Sequence, residues 1–182
     1  FTIEIDIKNQ LIYDTIHRYG GIFGTRTWGS GKFAFQIIGN NSPGWPGIGG
    51  ELSVVVNGGS QVISQTNFHS NALNQWTHIA VTYEAGNVSV YFDGIEQLAS
   101  DSSLTAFSDP EITLSTFPSF GYINWSGSEY FLDGNLNNLS IWNIALSEQE
   151  IQQYMNCPPS GNEAGLVGYW NFEEGSGTTA LD

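Results

Sequence analysis

The sequence predicts an all-β protein built as a two-sheet antiparallel sandwich, with one short helix near the C-terminus. Three observations carry this reading. Phe 11, Tyr 8, Trp 6 and Gly 22 stand against only 12% charged residues, and aromatics suit pleated surfaces as glycine suits tight reversals. Short runs of β-branched and aromatic residues recur between clusters of Gly, Asn, Ser and Pro, which is the spacing of a sandwich. A single stretch, opening at Ser147, has helical periodicity. With 182 residues the chain fits one domain, since that length buries roughly 70% of the surface an unfolded chain exposes.

The first element is residues 1–8, FTIEIDIK, in which Ile3, Ile5 and Ile7 alternate with Glu4, Asp6 and Lys8. Strict alternation predicts a strand with one buried and one wet face. Further strands are predicted at 21–28, 32–38, 51–57 and 61–67, divided by turn-forming clusters. The run WTHIAVTY (76–83), the turn at 84–87 and the run VSVYF (88–92) read as a hairpin. Trp76, Ile79, Val81, Tyr83, Val88, Val90 and Phe92 are its predicted core residues. Asp93-Gly94 supplies a second reversal, because both positions tolerate positive φ, and Ile95 starts a short return strand.

A strand is predicted at 111–117, then an aromatic-rich loop at 118–130, then a strand at 131–143. In that last strand Leu136, Leu139, Ile141 and Ile144 do not keep one parity, which predicts a bulge or a slipped register. Ser147-Glu148-Gln149-Glu150 is a capping box, and Ile151, Tyr154 and Met155 follow on one helical face. Pro158 and Pro159 end the helix. The chain divides into a domain over 1–155, a linker-like stretch at 156–164 and a trailing strand and tail at 165–182.

Several function classes are disfavoured. Four Lys+Arg against 18 Asp+Glu give a formal charge of -14, which repels nucleic-acid backbones and anionic lipid surfaces. No apolar run approaches the roughly 20 residues that insert across a bilayer. The chain opens on a strand pattern where a signal peptide has a charged start, so it reads as a mature or excised fragment. Cys157 is the only cysteine and gives neither a disulfide framework nor a zinc site. The wealth of Asn, Ser, Thr and Gly suits a secreted or cell-surface protein.

WTHIAVTYEAGNVSVYFDG followed by FLDGNLNNLSIWNIALSEQEI resembles the laminin-G-like modules of the concanavalin A-like lectin/glucanase superfamily. Three motifs occur in that family's order, over about residues 1–155. The segment GLVGYWNFEEGSGTTALD (165–182) is similar to the opening of the same modules, which normally precedes the first strand. The resemblance implies a two-sheet antiparallel jelly roll with a face and rim loops open to ligands. Fold alone does not choose among lectins, adhesion modules and hydrolases.

Each chemistry has its candidate residues. The family's glucanases carry E-x-D-x-(x)-E on one strand, and Glu4 and Asp6 match its first two carboxylates, but Lys8 or Asn9 stands where the acid/base belongs. No catalytic set is therefore expected, and His78 of the W-x-H motif is expected to pack as a hydrogen-bonded residue of the sandwich. A rim Ca2+ site is implied by the resemblance, with Asp133 and Asn137 as its ligands; in the matching stretch Gly134-Asn135-Leu136-Asn137-Asn138 the acidic positions have become amides. Trp28, Trp45, Tyr122 and Trp125 lie beside Gly, Ser, Asn or Pro, outside strand-like runs, and their faces can stack on sugar rings or plug the sandwich ends. The expected role is a non-catalytic binding or adhesion repeat that recognises glycans or proteins and has neighbouring domains in the same chain. A spacer without ligand and a degenerate glycoside hydrolase are the alternatives.

Overall fold

A computed structural model of the chain describes residues 1–10, 19–25, 33–38, 52–56, 60–63, 72–85, 87–97, 118–125 and 128–181. The predicted strand at 111–117 lies outside them. β1 (Thr2–Asn9), β6 (Thr77–Glu84), β7 (Asn87–Phe92), β8 (Ile95–Gln97), β12 (Gly134–Trp142) and β13 (Leu166–Trp170) form one sheet, ordered β13-β12-β1-β6-β7-β8. β2 (Tyr19–Thr25), β3 (Phe33–Ile38), β4 (Leu52–Val56), β5 (Ser60–Ile63) and β9 (Pro118–Phe120) form a second, ordered β5-β4-β3-β2-β9. The strands within both sheets pair antiparallel. The all-β sandwich read from the sequence is the fold.

Alternation built the core between the sheets. Ile3, Ile5 and Ile7 of β1 join Ile79 and Val81 of β6, Val90 and Phe92 of β7, and Leu139 and Ile141 of β12. Ile22, Phe23, Leu52 and Val54 close it from the second sheet. The predicted β6–β7 hairpin forms with Val81 opposite Val90, and Asp93 and Gly94 turn the chain at φ 48° and 74°. Trp76 departs from the prediction: it precedes β6 and is 51% exposed.

The predicted wet face of β1 is covered. The helix α1 (Glu148–Asn156) crosses the outer side of the first sheet, where Ile151 and Leu146 pack with Ala80, Tyr91 and Trp142. Tyr154 lies 4.6 Å from the Trp142 ring. The capping box is present as predicted: Ser147 accepts from the Glu150 backbone, and the Glu150 carboxylate accepts from Ser147 N–H at 2.8 Å. Glu4 consequently sits between sheet and helix, only 2% exposed.

The stretch predicted as a loop at 118–130 is largely strand. After β9, residues Tyr122–Trp125 (β10) and Ser128–Phe131 (β11) form a hairpin of their own. It lies on β2, and Gly21 makes that approach possible, because a Cβ there would stand 2.4 Å from the Ile123 nitrogen. The parity break in the following strand is a bulge. β12 slips between Glu4 and Asp6 of β1, and Asn138 takes up the extra residue at φ 49°.

β13 pairs with β12 along the edge of the first sheet. Trp170 packs against the main core, with Phe120 6.2 Å away. The register shifts at Ile141/Trp142, and Leu166 joins the cluster under α1, on the other side of the sheet from Trp170.

Candidate functional site

β1, β6 and β12 lie side by side, so their outward residues meet beneath α1. Glu4 stands opposite Ser140 on one neighbour and Ala80 on the other, and Asp6 stands opposite His78. Ser140 Oγ and the Trp142 indole N–H each donate to Glu4 Oε2 at 2.8 Å. Asn138, turned by the bulge, donates its amide to Asp6 Oδ2 at 2.8 Å and accepts from the Tyr169 hydroxyl at 2.8 Å. His78 is fixed through its backbone, its N–H reaching Asp93 Oδ1 at 2.9 Å and its carbonyl accepting from Asp93 N–H at 2.9 Å.

This cluster contains two buried atoms without a hydrogen-bond partner, Glu4 Oε1 and His78 Nδ1. Glu4 Oε1 and His78 Nε2 are 3.7 Å apart, a distance that suits an ion pair. Burial works against that pairing. It pushes the Glu4 carboxyl up to about 7, against the opposing hydrogen bonds from Ser140 and Trp142, and pushes the His78 imidazole down to about 4. Burial also raises Asp6, with the Asn138 bond opposing it. Near neutral pH, therefore, His78 is uncharged and Glu4 is divided between its two forms. A carboxyl poised near neutrality can exchange protons, as catalytic groups do. Here it lies under a helix, in a cleft whose space of about 10 Å³ admits one water-sized group.

A second feature lies on the β10–β11 hairpin. Tyr122 and Phe131 are register partners with ring centroids 5.1 Å apart. Phe131 is 61% exposed, and the Tyr122 hydroxyl donates to Glu129 Oε1 at 3.2 Å. Phe131 is thus an exposed ring backed by half-buried Tyr122, whose hydroxyl is held by a neighbouring carboxylate.

The structure distributes the predicted site residues unevenly. Trp28 and Trp45 lie outside the described residues. Tyr122 and Trp125 were expected in a loop, but both belong to β10, with Trp125 paired in register to Ser128. Asp133 is exposed in the turn before β12, where its carbonyl accepts from Gln10 N–H at 2.8 Å. Asn137, half-buried, stands opposite Asp6. Four residues of extended chain, about 13 Å, separate Asp133 from Asn137, so they do not meet around one ion. Among the described residues no three His, Cys, Asp or Glu side chains converge as a metal site. Ser140, Trp142 and Tyr169 were not singled out from the sequence, and Asn138 only within the implied Ca2+ stretch, because their partners lie 31 to 138 residues away along the chain.

The profile of the laminin-G-type family of the concanavalin A-like lectin/glucanase superfamily matches residues 11–152. The chain belongs to that family. Curated proteins give no match. Among solved structures, this laminin-G-type domain is similar to a Bacteroides ovatus protein provisionally described as carbohydrate-binding, with 19% identity and a TM-score of 0.75. The match covers 98% of this chain and 46% of the other, so the domain spans about half of that protein. Domain 4 of an extracellular arabinanase from Geobacillus stearothermophilus, in complex with arabinotriose, has 20% identity and a TM-score of 0.57 over 84% of this chain and 64% of its own. A heptameric pentraxin from Limulus polyphemus has 18% identity and a TM-score of 0.56 over 93% of this chain and 78% of its own. At these identities the likeness establishes the fold of the laminin-G-type domain.

Proposed function

We propose that this laminin-G-type domain is a non-catalytic carbohydrate-binding module of a secreted or cell-surface protein, working beside other domains of its chain. The observation that carries the reading is the exposed Phe131 ring packed against the half-buried Tyr122 on the β10–β11 hairpin, flanked by Glu129. Aromatic faces stack on the apolar faces of sugar rings, and a carboxylate nearby accepts from hydroxyls. Similarity to the arabinanase domain seen with arabinotriose makes neutral oligosaccharides the first ligand class to test. The two glucanase-like carboxylates speak against hydrolysis. Glu4 is 2% exposed beneath α1, and no third carboxylate stands on β1 in the place of an acid/base.

Asp133 follows Phe131 by two residues and is the carboxylate available to a Ca2+-assisted contact at the same end of the hairpin. A glycan array with the pure domain, run with Ca2+ and with chelator, tests the reading. Binding to a defined oligosaccharide class, lost in Phe131→Ala and Tyr122→Ala, is expected. Absence of glycan binding in both conditions overturns it. Hydrolysis of β-glucans, abolished by Glu4→Gln, overturns the non-catalytic part.

A further inference from the structure

The cleft under α1 has the chemistry of a receptor for a small cation. Its floor carries Glu4, Asp6 and His78, and its walls carry Tyr154, Tyr169, Met155 and Pro158. The Glu4 side chain is 3% exposed, yet Oε1 has no hydrogen-bond donor, while Oε2 receives two. A buried acceptor without a donor is costly, and it marks a place where a donor belongs. Among the described residues no Lys or Arg supplies one: Lys8 does not line the cleft, and His78 Nε2, at 3.7 Å from Oε1, is too far for a hydrogen bond. The space at its floor fits one water-sized group, and the apolar wall formed by Met155 and Pro158 suits an unbranched aliphatic stem.

We propose that this cleft is a binding site, separate from the Tyr122–Phe131 face, for the primary ammonium group of a lysine side chain presented by a protein partner. An ammonium is water-sized, offers three N–H donors and no acceptor, and so matches the unpartnered Oε1 of charged Glu4 beside the Asp6 carboxylate. Tyrosine rings on the wall favour a cation at the mouth. The formal charge of -14 draws a basic partner toward the domain from a distance. An amino sugar carries the same group on a ring carbon, and the titration includes it as a competitor class.

The test is a titration of the isotope-labelled protein, followed at the Trp142 indole N–H, whose acceptor is Glu4. Nα-acetyl-lysine amide is expected to give saturable shifts. Nα-acetyl-norleucine amide, glucosamine and potassium chloride at equal ionic strength are expected to give none. Glu4→Gln and Asp6→Asn, which preserve shape and folding hydrogen bonds, are each expected to weaken binding by about tenfold or more, the effect of losing a charged hydrogen-bond partner. Phe131→Ala is expected to leave it unchanged. Equal shifts with the norleucine derivative, glucosamine or potassium chloride overturn the proposal, as does unaltered binding in folded Glu4→Gln and Asp6→Asn. Lack of any saturable shift in the wild type overturns it as well.

Discussion

Trp142 donates its indole N–H to the Glu4 carboxylate at 2.8 Å, tying β12 to β1 through side chains as well as backbone. Because that bond favours the charged form, it holds the Glu4 pKa lower than burial alone would set it. Trp142→Phe keeps the ring against Tyr154 and removes the donor. The expected outcome is a Glu4 carboxyl that titrates above about 7, followed by its ¹³C chemical shift. An unchanged titration would mean that the indole bond does not act on Glu4.

Glu4 and His78 give the stability curve two opposing slopes. Folded Glu4 titrates near 7 against its ordinary 4.5, so between these values the folded state holds a proton that the unfolded chain has lost, and stability falls as pH rises. Folded His78 titrates near 4 against 6.5, so over that window the unfolded chain holds the extra proton, and stability rises with pH. Relative to wild type, Glu4→Gln is expected to gain stability with pH between 4.5 and 7, and His78→Gln to lose it between 4 and 6.5. Each slope is on the order of 1 kcal/mol per pH unit. Urea unfolding at half-unit pH steps measures both, and curves parallel to wild type would refute the assignment.

Val81 is fully buried at the centre of the main core. Val81→Ala is expected to cost about 1–3 kcal/mol through lost burial and a residual cavity, read from chemical denaturation. A change within about 0.5 kcal/mol would be the mark of a surface position.

Gly168 lets the Trp170 ring fold back over its own strand, since a Cβ at 168 would stand 2.5 Å from that ring. Gly168→Ala is expected to displace Trp170 from the core and destabilise the domain by about 1–3 kcal/mol. Truncation after Pro159 removes β13 altogether, leaving the β12 edge unpaired and both hydrophobic clusters uncovered. The shortened protein is expected to self-associate, as judged by light scattering. If it stays monomeric and loses less than about 1 kcal/mol, β13 contributes little to this fold.

The capping box offers a local test, since Ser147 and Glu150 satisfy each other's backbone donors at the start of α1. Ser147→Ala is expected to cost about 1 kcal/mol. The same change should loosen α1 over Glu4, visible as faster hydrogen exchange at the Trp142 indole. Exchange and stability at wild-type values would show α1 holding by Ile151 and Leu146 alone.

Local rules made much of the fold legible. Period-two alternation fixed β1 and the β6–β7 hairpin, Asp93-Gly94 fixed the following turn, and the Ser147–Glu150 pair fixed the helix start, because each signal lies within a few residues. The broken parity around Leu136 and Leu139 even announced the bulge at Asn138. Tertiary structure decided the rest. Alternation says that β1 has two faces, but only the docking of α1 decides that Glu4 is buried rather than wet, and hence where it titrates. Ser140 and Trp142 reach Glu4 across 136 and 138 residues of chain, a distance at which one sequence carries no local signal. Tyr122 and Trp125 looked like loop aromatics because Gly and Ser surround them, yet their strand exists through pairing with β11 and support from β2. Strand pairing and burial are properties of the partner surface, and the chain acquires them only when it folds.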